Sequence, residues 1–173
     1  MAYTALVCRW LDADYRNLGF SGAALGEPAM ADYVARQPMS AFVYDYDHNA
    51  PDEAHLKKTH EPFFQYIRKM RPELPILIMS RPDVDHFPLS SGWKRDIVRA
   101  TYENAVASGD QRVWFLDGHT FFEGPDRSFC TVDRCHPTDL GFYRMAQKVY
   151  PVLCQMLAQP NRAPWPKSQE AHR

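Results

Sequence analysis

The sequence predicts an α/β domain: a parallel sheet with helices packed on both faces. Three observations carry this. Segments of strand period and helix period alternate along the chain, the order that favours parallel strands joined by crossover helices. Residues 75–80 (PILIMS) form a continuous apolar run between polar brackets, as a strand covered on both faces does. The chain of 173 residues is 45% hydrophobic and 24% charged, a globular balance of one-domain length.

In chain order, residues 1–11 (MAYTALVCRWL) read as a helix, with Ala5, Leu6, Cys8, Arg9 and Leu11 fitting a helix packed on a core. Residues 14–18 (DYRNL) read as a short strand closed by Gly19. Residues 28–36 form a short helix with Glu27 and Pro28 at its start. The β-branched and aromatic run 40–46 (SAFVYDY) is a strand. Residues 52–71 repeat Leu56, Phe63, Phe64, Ile67 and Met70 at helical spacing, with Pro62 expected to kink the helix or start a new turn. After the strand at 75–80, Ser90 and Ser91 are expected to cap a helix over 93–108, with Gly109 at its carboxyl end. Residues 112–116 (RVWFL) are a further buried strand. Thr138 caps a last helix through Leu157, which Pro151 is expected to interrupt. Residues 1–158 are thus read as one domain and residues 159–173, polar and proline-rich, as a tail.

Composition narrows the partners. Twenty basic residues against 21 acidic ones give a net charge of −1, which offers no field for a phosphate backbone, so nucleic acid is not expected. No apolar run is long enough to span a bilayer. Residues 1–11 lack the basic and apolar regions of a signal peptide, and the compartment stays open, the cytoplasm being favoured. Cys8, Cys130, Cys135 and Cys154 have no metal-ligand spacing and read as free thiols. Neither a metal nor another cofactor is expected.

In such sheets chemistry gathers at the carboxyl ends of the strands. Just before the last helix stands Asp133-Arg134-Cys135-His136-Pro137. Pro137 keeps His136 out of helical torsions, and Asp133, one turn earlier, can fix the imidazole tautomer so that the other nitrogen takes a proton from a hydroxyl. Taken alone, the same residues could be a capped surface turn. Asn17-Leu18-Gly19-Phe20-Ser21-Gly22 can bring backbone N–H groups to an anion or be a plain strand-to-helix turn. In Asp45-Tyr46-Asp47-His48-Asn49 the asparagine amide can donate to an oxyanion. A metal site from Asp45, Asp47 and His48 is disfavoured, because alternate strand residues diverge from the one between, and an Asx-turn at Asn49 stays open. Arg81, just after the strand at 75–80, could bind a carboxylate or sugar hydroxyl, or else pair with Asp83 or Asp117. Phe87, Trp93, Phe121 and Phe122 are candidate apolar walls, with core packing the default. A receiver or nucleotide-binding domain is disfavoured, for want of an acidic pair or a phosphate-cradling loop after the first strand.

In order, these three segments resemble the SGNH hydrolases, the GDSL esterase and lipase superfamily. NLGFSG is similar to the second family block, matched at Gly22; DYDHN to the third, matched at Asn49; VDRCHPTDLGF to the fifth, matched at Asp133 and His136. The resemblance implies a three-layer, flavodoxin-like α/β/α fold and a serine acylhydrolase acting on a small-molecule ester, including O-acetyl groups on small molecules or carbohydrates. His136 and Asp133 would be catalytic, and Gly22 and Asn49 would form the oxyanion hole. The branch it resembles most often carries a β-rich domain upstream; this and oligomerisation are the partners it allows.

The first family block, Gly-Asp-Ser, has no counterpart in these residues. The resemblance implies that the nucleophilic serine lies upstream of Met1, on a strand central to the sheet, flanked by residues 14–18 and 40–46. Ser21, Ser80, Ser90 and Ser91 are poor substitutes. The expectation is a truncated hydrolase, with this chain inactive by itself. The competing readings are a natural fragment completed by a partner strand, and a pseudoenzyme or binding module on the same fold.

Overall fold

The computed structural model describes residues 1–82 and 88–158, with only the backbone of residues 88–91. Expectations for Asp83, Phe87 and the tail lie outside these residues. Among the described residues five α-helices and three strands follow in the order α1 (Tyr3–Leu11), α2 (Pro28–Ala35), β1 (Phe42–Asp45), α3 (Glu53–Met70), β2 (Ile76–Met79), α4 (Pro88–Ala107), β3 (Val113–Leu116) and α5 (Asp139–Ala158).

The strands form one parallel sheet, β1-β2-β3, with Phe42 beside Ile76 and Ile76 beside Val113. All four residues of the central strand are buried, as the unbroken apolar run requires. Its side chains alternate between two cores. Ile76 and Ile78 pack with Tyr44, Val113, and residues of α2, α3 and α4 such as Val34, Ile67 and Val98. Leu77 and Met79 pack with Val7 of α1, Val149 of α5, and Phe121 and Phe122. These two phenylalanines are therefore core. The result is the expected three-layer α/β/α arrangement, and its parallel strands bring residues 46–49, 80–82 and 117–119 to one edge.

The local corrections have clear causes. Residues 14–18 are mostly exposed and form no strand, because among the described residues no strand lies between them and β1, and an extended segment without a ladder partner is not a sheet. Pro62 and Pro151 interrupt nothing: α3 and α5 run through them. Both prolines, and the residues four earlier, Lys58 and Gln147, are exposed or half-buried, so the carbonyls that lose a helical bond face water. Helix α4 starts at Pro88, which puts Ser90 and Ser91 inside it rather than at its cap. Gly109 does close it, at φ +87°, with its N–H donating to the Val106 carbonyl.

Candidate active site

The loop before α5 is held at both ends. Thr131 and Pro137 form an antiparallel bridge, and the Val132 N–H donates to the His136 carbonyl at 2.9 Å. Thr138 caps α5, its Oγ1 accepting from Gly141 N at 3.2 Å and donating to the Phe129 carbonyl at 2.7 Å. Gly141 seats the helix on the loop: a Cβ there would stand 2.1 Å from the Cys130 carbonyl oxygen. Within this frame Asp133 closes a tight turn. Its Oδ1 accepts from Cys135 N at 3.0 Å and His136 N at 2.7 Å, with Arg134 at φ +66°. Its Oδ2 lies 2.7 Å from His136 Nδ1. An ionised carboxylate only accepts, so Nδ1 carries the proton, and in the neutral ring Nε2 is left as the acceptor. The backbone and ring donors of His136 hold the Asp133 carboxyl down at about 2.

The side chains of this pair are 77% and 51% exposed, so it adds little to stability.

The same loop meets the residues after β1. Cys135 Sγ lies 4.0 Å from His48 Nε2, which joins the His136 turn to the loop bearing Asn49. Burial lowers the His48 imidazole to about 4, assisted by the positive charges of Arg81, Lys94 and His136. Among the described residues the Asn49 side chain makes no hydrogen bond, which leaves its amide donors available.

A model of the GDSL-like lipase/acylhydrolase family matches residues 1–154. The chain belongs to this family. Among curated proteins none matches it. A GDSL-like lipase described from Bacteroides ovatus superposes with a TM-score of 0.78 at 25% identity, over 90% of this chain and 47% of its own. A salicylyl-acyltransferase from a tetracycline biosynthetic pathway gives 0.74 at 22% identity, over 92% and 50%. A family two carbohydrate esterase from Clostridium thermocellum, in complex with cellohexaose, gives 0.70 at 19% identity, over 90% and 54%. The last two show the fold alone. The chain spans about half the length of the solved proteins it matches.

The other expected site residues of this family member are placed less tightly. Gly22 lies on an exposed turn in which the Ala23 N–H donates to the Phe20 carbonyl at 3.0 Å. Ser21 and Gly22 at φ +46° and +88° make it a type I′ turn, which explains the glycine by itself. Among the described residues no hydrogen bond joins Gly22 to Asn49 or His136. Arg81 stands at the carboxyl end of β2, its N–H donating to Asp47 Oδ2 at 2.9 Å. Its Nε is buried without a partner among the described residues. The alternative pairing with Asp117 is not formed, because that carboxylate takes Arg95 at 2.5 Å and Arg99 at 2.6 Å.

Asp45 and Asp47 diverge: one accepts from the Tyr3 hydroxyl at 2.9 Å and the other from Arg81 N. Ser80 is fully buried, its Oγ accepting from Gly118 N at 2.9 Å, and Ser21 is exposed on its turn. Among the described residues no serine is hydrogen-bonded to His136.

Sequence reasoning missed Lys94, whose ammonium lies beneath the Asn49 loop. It also missed the Cys135–His48 contact, which joins residues 87 positions apart. The sequence carries no sign of either, since helical lysines are ordinarily solvated.

Proposed function

We propose that this domain hydrolyses carboxylic esters by acyl transfer through a serine that lies outside these 173 residues. The serine oxygen bonds to the ester carbon as its proton passes to His136 Nε2, and the carbonyl π electrons move onto oxygen. The tetrahedral oxyanion is met by the Asn49 amide and the Gly22 N–H. On collapse the alcohol leaves with the proton from Nε2. Water then repeats the sequence on the acyl-enzyme and releases the acid. Asp133 fixes the tautomer and supports the imidazolium. Arg81 contacts a carboxylate or hydroxyl of the substrate.

The observation that carries this reading is the 2.7 Å Asp133–His136 pair, exposed, with a free Nε2, on a loop in contact with the Asn49 loop. O-acyl groups on carbohydrates or small molecules are the substrate class, supported by family membership and by the fold shared with a carbohydrate esterase bound to cellohexaose.

The test is Asn49→Ala in a form of the protein that carries the serine. We expect kcat to fall about 10²- to 10³-fold, the cost of one oxyanion donor, with KM nearly unchanged. An unchanged kcat rejects Asn49 as that donor. A non-catalytic binding role is favoured instead if the serine-bearing form binds esters without turning them over.

A further inference from the structure

The loop that bears Asn49 is organised from beneath by a buried cation. Lys94, on α4, is 6% exposed. Its Nζ donates to the carbonyls of Asp47 at 2.9 Å, His48 at 2.9 Å and Ala50 at 3.0 Å. An ammonium has three N–H donors, and all three are occupied. Lys94 therefore has nothing left to offer a substrate, and it is no catalytic residue. The carbonyls it gathers flank Asn49 on both sides.

Other contacts hold the same loop. Asp47 Oδ2 accepts from Arg81 N, the Ala50 N–H donates to the Asp47 carbonyl at 3.2 Å, and the Trp93 ring lies 5.3 Å from the ammonium. Among the described residues no other side chain reaches all three carbonyls. Without the ammonium, the Asp47 carbonyl would keep only the Ala50 N–H, while the His48 and Ala50 carbonyls would lose the donor Lys94 gives them and would have to turn toward water.

We infer that Lys94 is the positioning residue of the oxyanion amide: its three-pronged ammonium fixes the backbone around Asn49 and so presents that side chain in one orientation. This rests on the reading of Asn49 as an oxyanion donor, and preorganisation of such a donor is what makes it effective.

The experiment is ¹H–¹⁵N NMR on the 173-residue chain, with no substrate needed. In the unaltered protein we expect a slowly exchanging Lys94 ammonium signal and a single Asn49 side-chain amide pair. Lys94→Met keeps the stem and removes the donors. It should shift or broaden the Asn49 side-chain signals and raise amide exchange over residues 47–50 at least about tenfold, while the strands keep their protection. Unchanged Asn49 signals, or equal loosening of the whole sheet, overturn the inference. Should Lys94→Met fail to fold, Lys94→Arg serves: a planar fork retains charge but cannot cap three converging carbonyls, so displaced Asn49 signals support the inference and unmoved ones reject it. In a serine-bearing form, adding Lys94→Met to Asn49→Ala should cost nothing further in kcat, whereas a merely structural lysine would give additive losses. If Asn49→Ala alone leaves kcat unchanged, the oxyanion reading fails while the NMR result still reports on the positioning.

Discussion

At Asp133 one carboxylate does two jobs: it closes the turn through two backbone N–H groups and fixes the imidazole through its second oxygen. Asparagine could keep the turn but would present an amide N–H to Nδ1 and select the other tautomer. In a serine-bearing form, Asp133→Asn should lower kcat about 10³- to 10⁴-fold. Because the pair is exposed, the melting temperature should hardly move; a large drop in it would mark Asp133 as structural.

Asp47 and His60, both buried, and the half-buried His48 have strongly shifted acidity. Burial raises Asp47 to about 7, the nearby Asp45 charge adding to it against the pull of Arg81 and Lys94. Burial lowers His48 to about 4 and His60 to about 3, the latter stacked 4.5 Å from Tyr44 and bonded to Thr101. The folded state holds the Asp47 proton where the unfolded chain has lost it, so this group's contribution falls as pH rises from about 4 to 7. The histidines act oppositely: their contribution is complete above about 6.5 and is lost on acidification toward 4 and 3. Asp47→Asn removes only the first effect, and each tenfold difference in proton affinity between the folded and unfolded chain is worth about 1.4 kcal/mol. The melting temperature of Asp47→Asn relative to the parent should therefore rise between about pH 5 and pH 8. A constant difference would mean that Asp47 ionises normally.

Among the elements, the junction of α5 with its preceding loop decides where His136 stands. Gly141→Ala would press a methyl group onto the Cys130 carbonyl, and backbone must shift to admit it. We expect a loss of about 1–3 kcal/mol in stability and displaced His136 resonances. A variant as stable as the parent, with unmoved resonances, would refute this packing account.

The same junction shows what the sequence could disclose. Pro137 and Thr138 announced the end of the loop and the start of the helix through local torsion and capping rules; the three-residue spacing of Asp133 and His136 allowed their contact but equally a plain surface turn, and only the family resemblance singled the pair out. The apolar run of β2 announced its own burial. Residues 14–18 misled, because strand propensity says nothing about whether a neighbour is present to pair. Pro62 and Pro151 misled, because whether a helix tolerates proline depends on which face is wet. Lys94 was invisible, since its acceptors come from a loop more than forty residues away.

Across the whole molecule, the carboxyl edge of a three-stranded sheet gathers the His136 pair, the Asn49 loop and Arg81, while β1 has a strand beside it on one side only among the described residues. No described helix is long and apolar enough to cross a membrane. We propose that this edge holds the acid–base and oxyanion parts of an ester hydrolase and takes its attacking hydroxyl from elsewhere. The most direct measurement is hydrolysis of p-nitrophenyl acetate by the purified 173-residue chain and by a folded form in which a strand ending in Gly-Asp-Ser precedes it. We expect the chain alone to show no turnover that depends on His136, and the extended form to exceed it by about 10³-fold or more, with His136→Ala abolishing the gain. Efficient turnover by the chain alone, or an extended form no faster than it, would contradict the claim.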